Sequence, residues 1–240
     1  MTRRKYLLMA FGRISSASIL ALLLAVALTN ACGTSSAEDS AASDRRARPP
    51  VIADSRPKIV AFGDSLTAGF GLIEQESYPY LLQKRLERDG FNYEVVNAGV
   101  SGDTSLGGVE RIDWVLEEKN VEILILELGA NDLLRNVPVE RMKENLDRII
   151  LKAKAKGVEV LFCGMLAPPS VGEEYQREYL NAFADLATKH GVRFVPFLLE
   201  NVALNKDLNQ ADGIHPNAKG TVIMTDNIYN ELRPMLEKDK

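Results

Sequence analysis

Cysteine is almost missing from this chain of 240 residues: Cys32 and Cys163 are the only two. Two cysteines exclude a disulfide framework and any multi-cysteine metal site. Cys163 lies inside the apolar run VEVLFCG and reads as a small buried hydrophobe. Histidine is equally scarce, with only His190 and His215, and Trp114 is the single tryptophan. There is no surplus of positive charge. The net charge is -4 and the pI about 5.4, so nothing suggests a general attraction to nucleic acid. Several short signatures are absent too. No G-x-S-x-G elbow marks an ordinary α/β-hydrolase, and no G-x-x-x-x-G-K marks a P-loop. Neither G-x-G-x-x-G nor H-E-x-x-H occurs, which leaves a dinucleotide site and a zinc protease without support. The chain is 46% hydrophobic, enough for one substantial core in one domain.

The apolar stretch ILALLLAVAL stands near the N-terminus and is short for a membrane span. Basic residues precede it and small ones follow, the pattern of a bacterial secretion signal over residues 1–31. Arg3, Arg4, Lys5 and Arg13 lie in that leader with no acid among them. The remaining chain therefore carries -8, four more negative than the whole. LTNAC resembles a lipobox, with Cys32 as the lipidated first residue of the mature protein. Thr29 stands where such boxes usually carry leucine. Release after Ala31 is the alternative, since Thr29 and Ala31 are both small. TRRKYLL also resembles a twin-arginine signal, so the export route stays open. Gly33 is not the aspartate associated with inner-membrane retention, which points an anchored protein to the outer membrane. Residues 32–57 are rich in Ser, Ala, Asp, Arg and Pro without apolar periodicity, and read as a flexible tether.

From residue 58 to 240 the chain reads as one domain of alternating strands and helices. Apolar runs occur at 58–62, 93–98, 121–128, 158–164 and 192–197. Between them, helical spacing links Tyr78, Leu81, Leu82 and Leu86, then Met142, Leu146, Ile149, Ile150 and Ala153. Leu180, Phe183, Leu186 and Ala187 form a third such face, and Met224, Ile228, Leu232, Met235 and Leu236 a last one. The alternation predicts about five parallel strands covered by helices on both faces. Right-handed crossovers place every strand's C-terminal end on one edge, where such folds bind ligands.

Ser65 follows the first run, Gly102 the second and Asn131 the third, so the three belong to one rim. A serine hydroxyl needs a base within hydrogen-bond reach, and the base needs an orienting group. His190 ends a helix before Gly191, a position explained by capping and the helix dipole. His215 sits in ADGIHPNAKG, where Asp212 can hold one ring nitrogen and leave the other facing outward. Alone, that loop reads equally well as a helix start with a surface histidine. Asn131 and the backbone N–H of Gly102 are donors that could face a developing oxyanion; each motif alone also reads as an ordinary turn.

Taken together, FGDSLTAGFG, NAGVSGDTS, LGAND and DGIHP resemble the four blocks of the SGNH, or GDSL, hydrolases, in order across residues 58 to 220. The resemblance is greatest to the bacterial thioesterase I, lysophospholipase L1 and arylesterase branch. Ala130 replaces a glycine usual in that branch. The resemblance implies a three-layer α/β/α flavodoxin-like fold and a serine ester hydrolase without metal or cofactor. It implies Ser65 as nucleophile, His215 as base and Asp212 as its partner. The oxyanion hole would be the backbone N–H groups of Ser65 and Gly102 with the Asn131 side chain. Substrates would be small-molecule aryl, acyl or lysophospholipid esters and thioesters. Leu133, Leu134, Val137, Pro168 and Val171, on two rim loops, are candidates for an acyl groove or for plain loop packing. A carbohydrate deacetylase of the same fold is one alternative, against which the position of Trp114 away from the rim argues. A non-catalytic envelope lipoprotein is another, and it would be expected to have lost one of the four chemical side chains. An exported chain of this kind belongs to the periplasm or envelope, with a lipid anchor at Cys32 as its membrane contact.

Overall fold

The structure is a computed structural model and describes residues 55–237. The proposed leader, Cys32 and the tether up to residue 54 lie outside the described residues. The fold begins with β1 (Lys58–Gly63), α1 (Ser65–Ala68), α2 (Tyr78–Arg88), β2 (Glu94–Gly99) and α3 (Ser105–Val115). It continues with β3 (Val121–Glu127), α4 (Ala130–Leu134), α5 (Val139–Ala155) and β4 (Glu159–Cys163). It ends with α6 (Glu173–His190), β5 (Arg193–Val195) and α7 (Ala218–Leu236). The five strands form one parallel sheet in the order β2-β1-β3-β4-β5. This is the doubly wound flavodoxin-like order. Helix α2 packs with α7, while α3, α5 and α6 pack side by side, giving the two outer layers.

The apolar runs become strands because only a sheet covered on both faces can bury every residue of such a run. Ile59–Phe62, Leu124–Leu126 and Val160–Cys163 are all buried. β2, at the sheet edge, is half-buried and turns Asn97 outward. The run at 192–197 yields a strand of only three residues, because Pro196 has no N–H for the ladder. The α5 and α7 faces read from the sequence are buried in full. On α2, Leu81 is only half-buried beside the buried Tyr78, Leu82 and Leu86. On α6 the buried face is Tyr179, Phe183, Leu186, Ala187 and His190; Leu180, expected inside, is exposed. It lies one position round the helix from Tyr179, which takes the inward place with its larger ring. Each large apolar side chain buried this way contributes about 1.5–3 kcal/mol.

Two junctions set up the rim. The chain runs from β1 to one neighbour, β2, and then crosses to the other, β3, so the strand order reverses at β1. Ligands of such folds sit in the crevice beside that reversal. The residues after β1, β2 and β3 are therefore adjacent, with Ser65 central, Gly102 on one side and Asn131 on the other. β2 also presses directly on the helix that carries Ser65. A Cβ on Gly99 would stand 2.2 Å from the Ala68 amide nitrogen and 2.7 Å from the Thr67 carbonyl carbon. Backbone cannot yield as a flexible side chain can, so Gly99→Ala should destabilise the domain by about 2 kcal/mol or more. Urea melting of the two proteins checks this; an unchanged midpoint would mean that the contact is not tight.

Candidate active site

β1 stops at Gly63, and Asp64 starts a single helical turn. The Asp64 carboxylate accepts the Leu66 N–H at 3.0 Å, and its carbonyl accepts the Ala68 N–H at 2.9 Å. That cap places Ser65 in the first turn, half-buried at the tip of the central strand. From the far end of the chain, His215 approaches with Nε2 at 2.8 Å from Ser65 Oγ. Its Nδ1 lies 2.8 Å from Asp212 Oδ2. The Asp212 Oδ1 atom accepts the backbone N–H groups of Ile214 and His215, each at 3.0 Å. The His215 side chain, with these two amides, holds Asp212 down at about 2, so it is a carboxylate at any working pH. A carboxylate facing Nδ1 keeps the ring proton there. Nε2 is thereby left to accept from the serine hydroxyl.

The neighbouring loops are fastened to the same centre. Asn131 donates from Nδ2 to Asp64 Oδ2 at 2.9 Å. Next to it, buried Asp132 accepts both the Ser105 N–H, at 2.8 Å, and the Ser105 hydroxyl, at 2.6 Å; Asn145 donates to that hydroxyl at 3.0 Å. This ties the start of α4 to the start of α3. The loop holding Gly102 is gripped twice. Arg135 donates to the Gly102 carbonyl at 2.7 Å. Arg111 donates to Asp103 at 2.7 Å, to the Ala98 carbonyl at 2.8 Å and to the Gly63 carbonyl at 2.9 Å, with its guanidinium stacked 3.7 Å above the Phe62 ring. One side chain thus joins the ends of β1 and β2 to the residue after Gly102. Arg111, Asp132 and Asp64 were not singled out from the sequence, although Asp64 and Asp132 each adjoin a candidate site residue.

Glu127, the last residue of β3, is also a finding of the structure. It is fully buried, and its Oε2 accepts the Asp64 N–H at 3.1 Å and the Thr67 hydroxyl at 2.8 Å. Thr67 also meets the Tyr78 hydroxyl at 3.3 Å. The Glu127 Oε1 atom has no donor facing it. Two buried carboxyl groups in contact, Asp64 and Glu127, cannot both ionise without a cation beside them. Burial and the Asp64 charge push Glu127 well above the ordinary carboxylate range. Burial raises Asp64 too, against the hydrogen bonds from Leu66, Glu127 and Asn131. The proton therefore rests on Glu127, and Asp64 keeps the charge that its donors need. The only hint in the sequence is an acid ending an otherwise apolar run.

His190 lies away from this centre, at the C-terminus of α6, with Nε2 2.6 Å from Asp147 on α5. Trp114 is exposed at the far end of α3. Of the five groove candidates, Leu134, Pro168 and Val171 are exposed and Leu133 and Val137 half-buried. They do not line the small cavity beside Ser65, whose walls are Leu66, Phe70, Leu72, His215, Pro216 and Met224 among others. A wider cavity of about 440 Å³ opens at the starts of β4 and β5, the opposite edge of the sheet, between residues such as Lys154, Val160 and Arg193. It contains no arrangement of nucleophile and base.

A family model described as GDSL-like Lipase/Acylhydrolase matches residues 61–223. The chain is 37% identical to Esterase TesA of Pseudomonas aeruginosa over 178 residues, covering 74% of this chain and 89% of the relative. It is 31% identical to thioesterase 1/protease 1/lysophospholipase L1 of Escherichia coli K12, covering 75% and 86%. Among solved structures, the psychrotrophic esterase EstA from Pseudoalteromonas sp., inhibited by monoethylphosphonate, superposes with a TM-score of 0.71. The two are 30% identical over 75% of this chain and 98% of that one.

The protonated Glu127 has a consequence for stability. Its value is raised on folding, so its contribution is complete below the unfolded value of 4.5 and is lost as pH rises toward the folded value. Glu127→Gln keeps a neutral group that can accept and donate in the same place. The melting temperature of Glu127→Gln relative to wild type should therefore climb as pH rises from about 5 to 9. A difference that stays flat with pH would place the proton elsewhere.

Proposed function

The chain belongs to the GDSL-like lipase/acylhydrolase family, and we propose that it is an exported serine ester hydrolase working through Ser65, His215 and Asp212. The observation that carries the reading is the unbroken line from Asp212 through His215 to Ser65 Oγ, with both links at 2.8 Å. In the reaction, His215 Nε2 takes the hydroxyl proton as Ser65 Oγ attacks the acyl carbon. Asp212 stabilises the imidazolium without accepting its proton. The carbonyl oxygen becomes an oxyanion facing the Ser65 and Gly102 backbone N–H groups and the Asn131 amide. His215 then protonates the leaving alcohol or thiol, and the acyl group stays on Ser65. A water molecule, deprotonated by His215, attacks the acyl-enzyme and restores the serine. The fixed carboxylate Asp64 engages one Nδ2 hydrogen of Asn131, which leaves the other for the oxyanion.

The substrate class follows from what surrounds this line. Phe70, Ile73, Val100, Leu134, Val171 and Ile214 are exposed on the segments that follow the strands at the active rim. Apolar side chains on an otherwise charged surface suit an acyl or aryl group. Aryl esters, fatty acyl esters or thioesters and lysophospholipids fit such a rim, and Leu133, Val137 and Pro168 extend it. A deacetylase acting on sugars would call for aromatic stacking, and Trp114 is not on this edge. The protein acts at the cell envelope, delivered by the leader 1–31 and held by acylated Cys32 through residues 33–57.

Hydrolysis of p-nitrophenyl esters from acetate to palmitate should be measured for residues 33–240. Ser65→Ala should abolish turnover, and Asn131→Ala should lower kcat by about 10²–10³-fold with a small change in KM. Equal activity in wild type and Ser65→Ala would remove the nucleophile assignment. For the anchor, cells fed labelled palmitate should mark the wild-type protein and leave Cys32→Ala unmarked; an unmarked wild type means release after Ala31 instead.

A further inference from the structure

We propose that Gln210 is a positioning residue of the ester-hydrolysis reaction, whose side-chain amide locks the loop carrying His215 to the segment carrying Ser65. The proposal rests on the reading of those two residues as base and nucleophile, and goes beyond it by naming what holds them in register.

Ser65 and His215 are 150 positions apart, and the bond between them cannot itself be the fastening. It must break each time the imidazole turns its proton toward the leaving group. Nor does packing hold the loop, because Ala211, Asp212, Gly213 and Ile214 are all exposed. Asp212 reaches only Ile214 and His215, so it stiffens the loop internally and ties it to nothing else. The loop is anchored behind His215, where Pro216 is buried and Asn217 caps α7. In front of His215, buried Asn209 holds the base of the loop through the Val202 and Asn205 carbonyls, and Gln210 carries the fastening across to the segment of Ser65.

Gln210 spends its hydrogen-bonding groups on this task. Its Nε2 donates to the Phe70 carbonyl at 2.7 Å and to the Pro216 carbonyl at 2.9 Å. Its backbone N–H donates to the His215 carbonyl at 2.8 Å, and its carbonyl accepts from Gly213 at 3.0 Å. On the other side, the Phe70 N–H donates to the Ser65 carbonyl at 3.0 Å. A continuous path of short bonds thus runs from Ser65 through Phe70 and Gln210 to both sides of His215. The nucleophile segment makes room for it. Gly71 has φ +74, and a Cβ there would lie 2.2 Å from Gln210 Oε1. The Phe70 ring, 4.7 Å from the His215 ring at a 38° tilt, closes the same gap from the side.

Two carbonyls converge on one nitrogen, so the position needs two N–H donors on a neutral group. Glutamine meets this; methionine has similar length but no donor, and glutamate would set a carboxylate oxygen against two carbonyl oxygens. A displacement of about 1 Å in a reacting group costs on the order of 10²-fold in rate. The geometry therefore assigns Gln210 a role in kcat with little in KM.

The test compares wild type, Gln210→Met, Gln210→Glu and Phe70→Ala, with the Gln210→Met/Phe70→Ala double variant. The measurements are p-nitrophenyl ester kinetics, the rate of Ser65 labelling by a fluorophosphonate, thermal melting and the His215 ring signals by NMR. The chain's only other histidine is His190, so assignment is direct. Gln210→Met should lower kcat and the labelling rate together by about 10–100-fold. KM should stay within about two-fold, and Gln210→Glu should be worse. The double variant should lose less than the product of the single losses, because both changes loosen one clamp. The His215 signals should broaden or shift while those of His190 stay put. Wild-type kcat in Gln210→Met, or a loss that merely follows the unfolded fraction from melting, overturns the proposal. If the wild type itself hydrolyses no ester and takes no label, the functional reading fails instead. The imidazole signals then still decide on the clamp: unchanged in Gln210→Met they overturn it, perturbed they support it.

Discussion

The charge on Asp64 is the constraint from which the site is built. One carboxylate oxygen caps the turn that presents Ser65, and the other holds the Asn131 amide. Both donors need an acceptor that stays unprotonated in a dry place, yet burial favours the neutral form. The fold meets that conflict with Glu127, a second carboxyl whose value is pushed higher still, so that the single proton of the pair lies there. The same Glu127 oxygen accepts the Asp64 N–H and the Thr67 hydroxyl. The backbone at the end of β1 and the turn after it are therefore fixed by the pair from both sides. Catalytic geometry and the protonation of a buried acid are linked here as one electrostatic problem.

The sheet supplies the rest of the arrangement. Parallel strands all end on one edge, so loops distant in sequence arrive together without any long-range contact to bring them. Strand ends and rim loops also present carbonyls that cationic or amide side chains take up. Arg111 serves the carbonyls of Gly63 and Ala98, Arg135 that of Gly102, and Gln210 those of Phe70 and Pro216. Satisfying an orphan carbonyl is required of any buried backbone. On this rim the bonds to Gly63, Ala98, Gly102 and Phe70 also join separate segments, and the requirement becomes a means of alignment.

This explains what could and could not be read from the residues alone. The strands were legible because β1, β3 and β4 are buried on both faces and show as continuous apolar runs. Most helix faces were legible for the matching reason, with Leu180 misplaced by one position. Ser65, Gly102, Asn131, Asp212 and His215 stood out because they are exceptional residues at strand ends, in motifs resembling a known family. Their supports did not. Arg111, Glu127 and Gln210 look like ordinary polar residues, and each has a partner far off in sequence, 13, 60 and 140 positions away. No local pattern encodes such a pairing. The five groove residues were chosen by loop membership. The structure gives each an exposure but no shared cavity, because a loop's place in the chain says little about the direction of its side chains.

The site is rigid from below and open from above, and that difference bears on selectivity. Below Ser65 the side chains of Asp64, Thr67, Ser105 and Asp132 are paired to strand ends or helix starts. Above it, Phe70, Leu134, Val171 and Ile214 stand in solvent on different segments. An open apolar rim can cover part of an acyl chain without enclosing it, so each methylene adds only the burial of one side, less than the roughly 0.8 kcal/mol of full burial. Discrimination among chain lengths is then shallow. In the proposed mechanism discrimination for the ester itself is steep, because the oxyanion donors and the Ser65–His215 pair act only when a carbonyl carbon sits at one point. A serine hydrolase arranged this way is strict about the bond it breaks and permissive about what the bond is attached to.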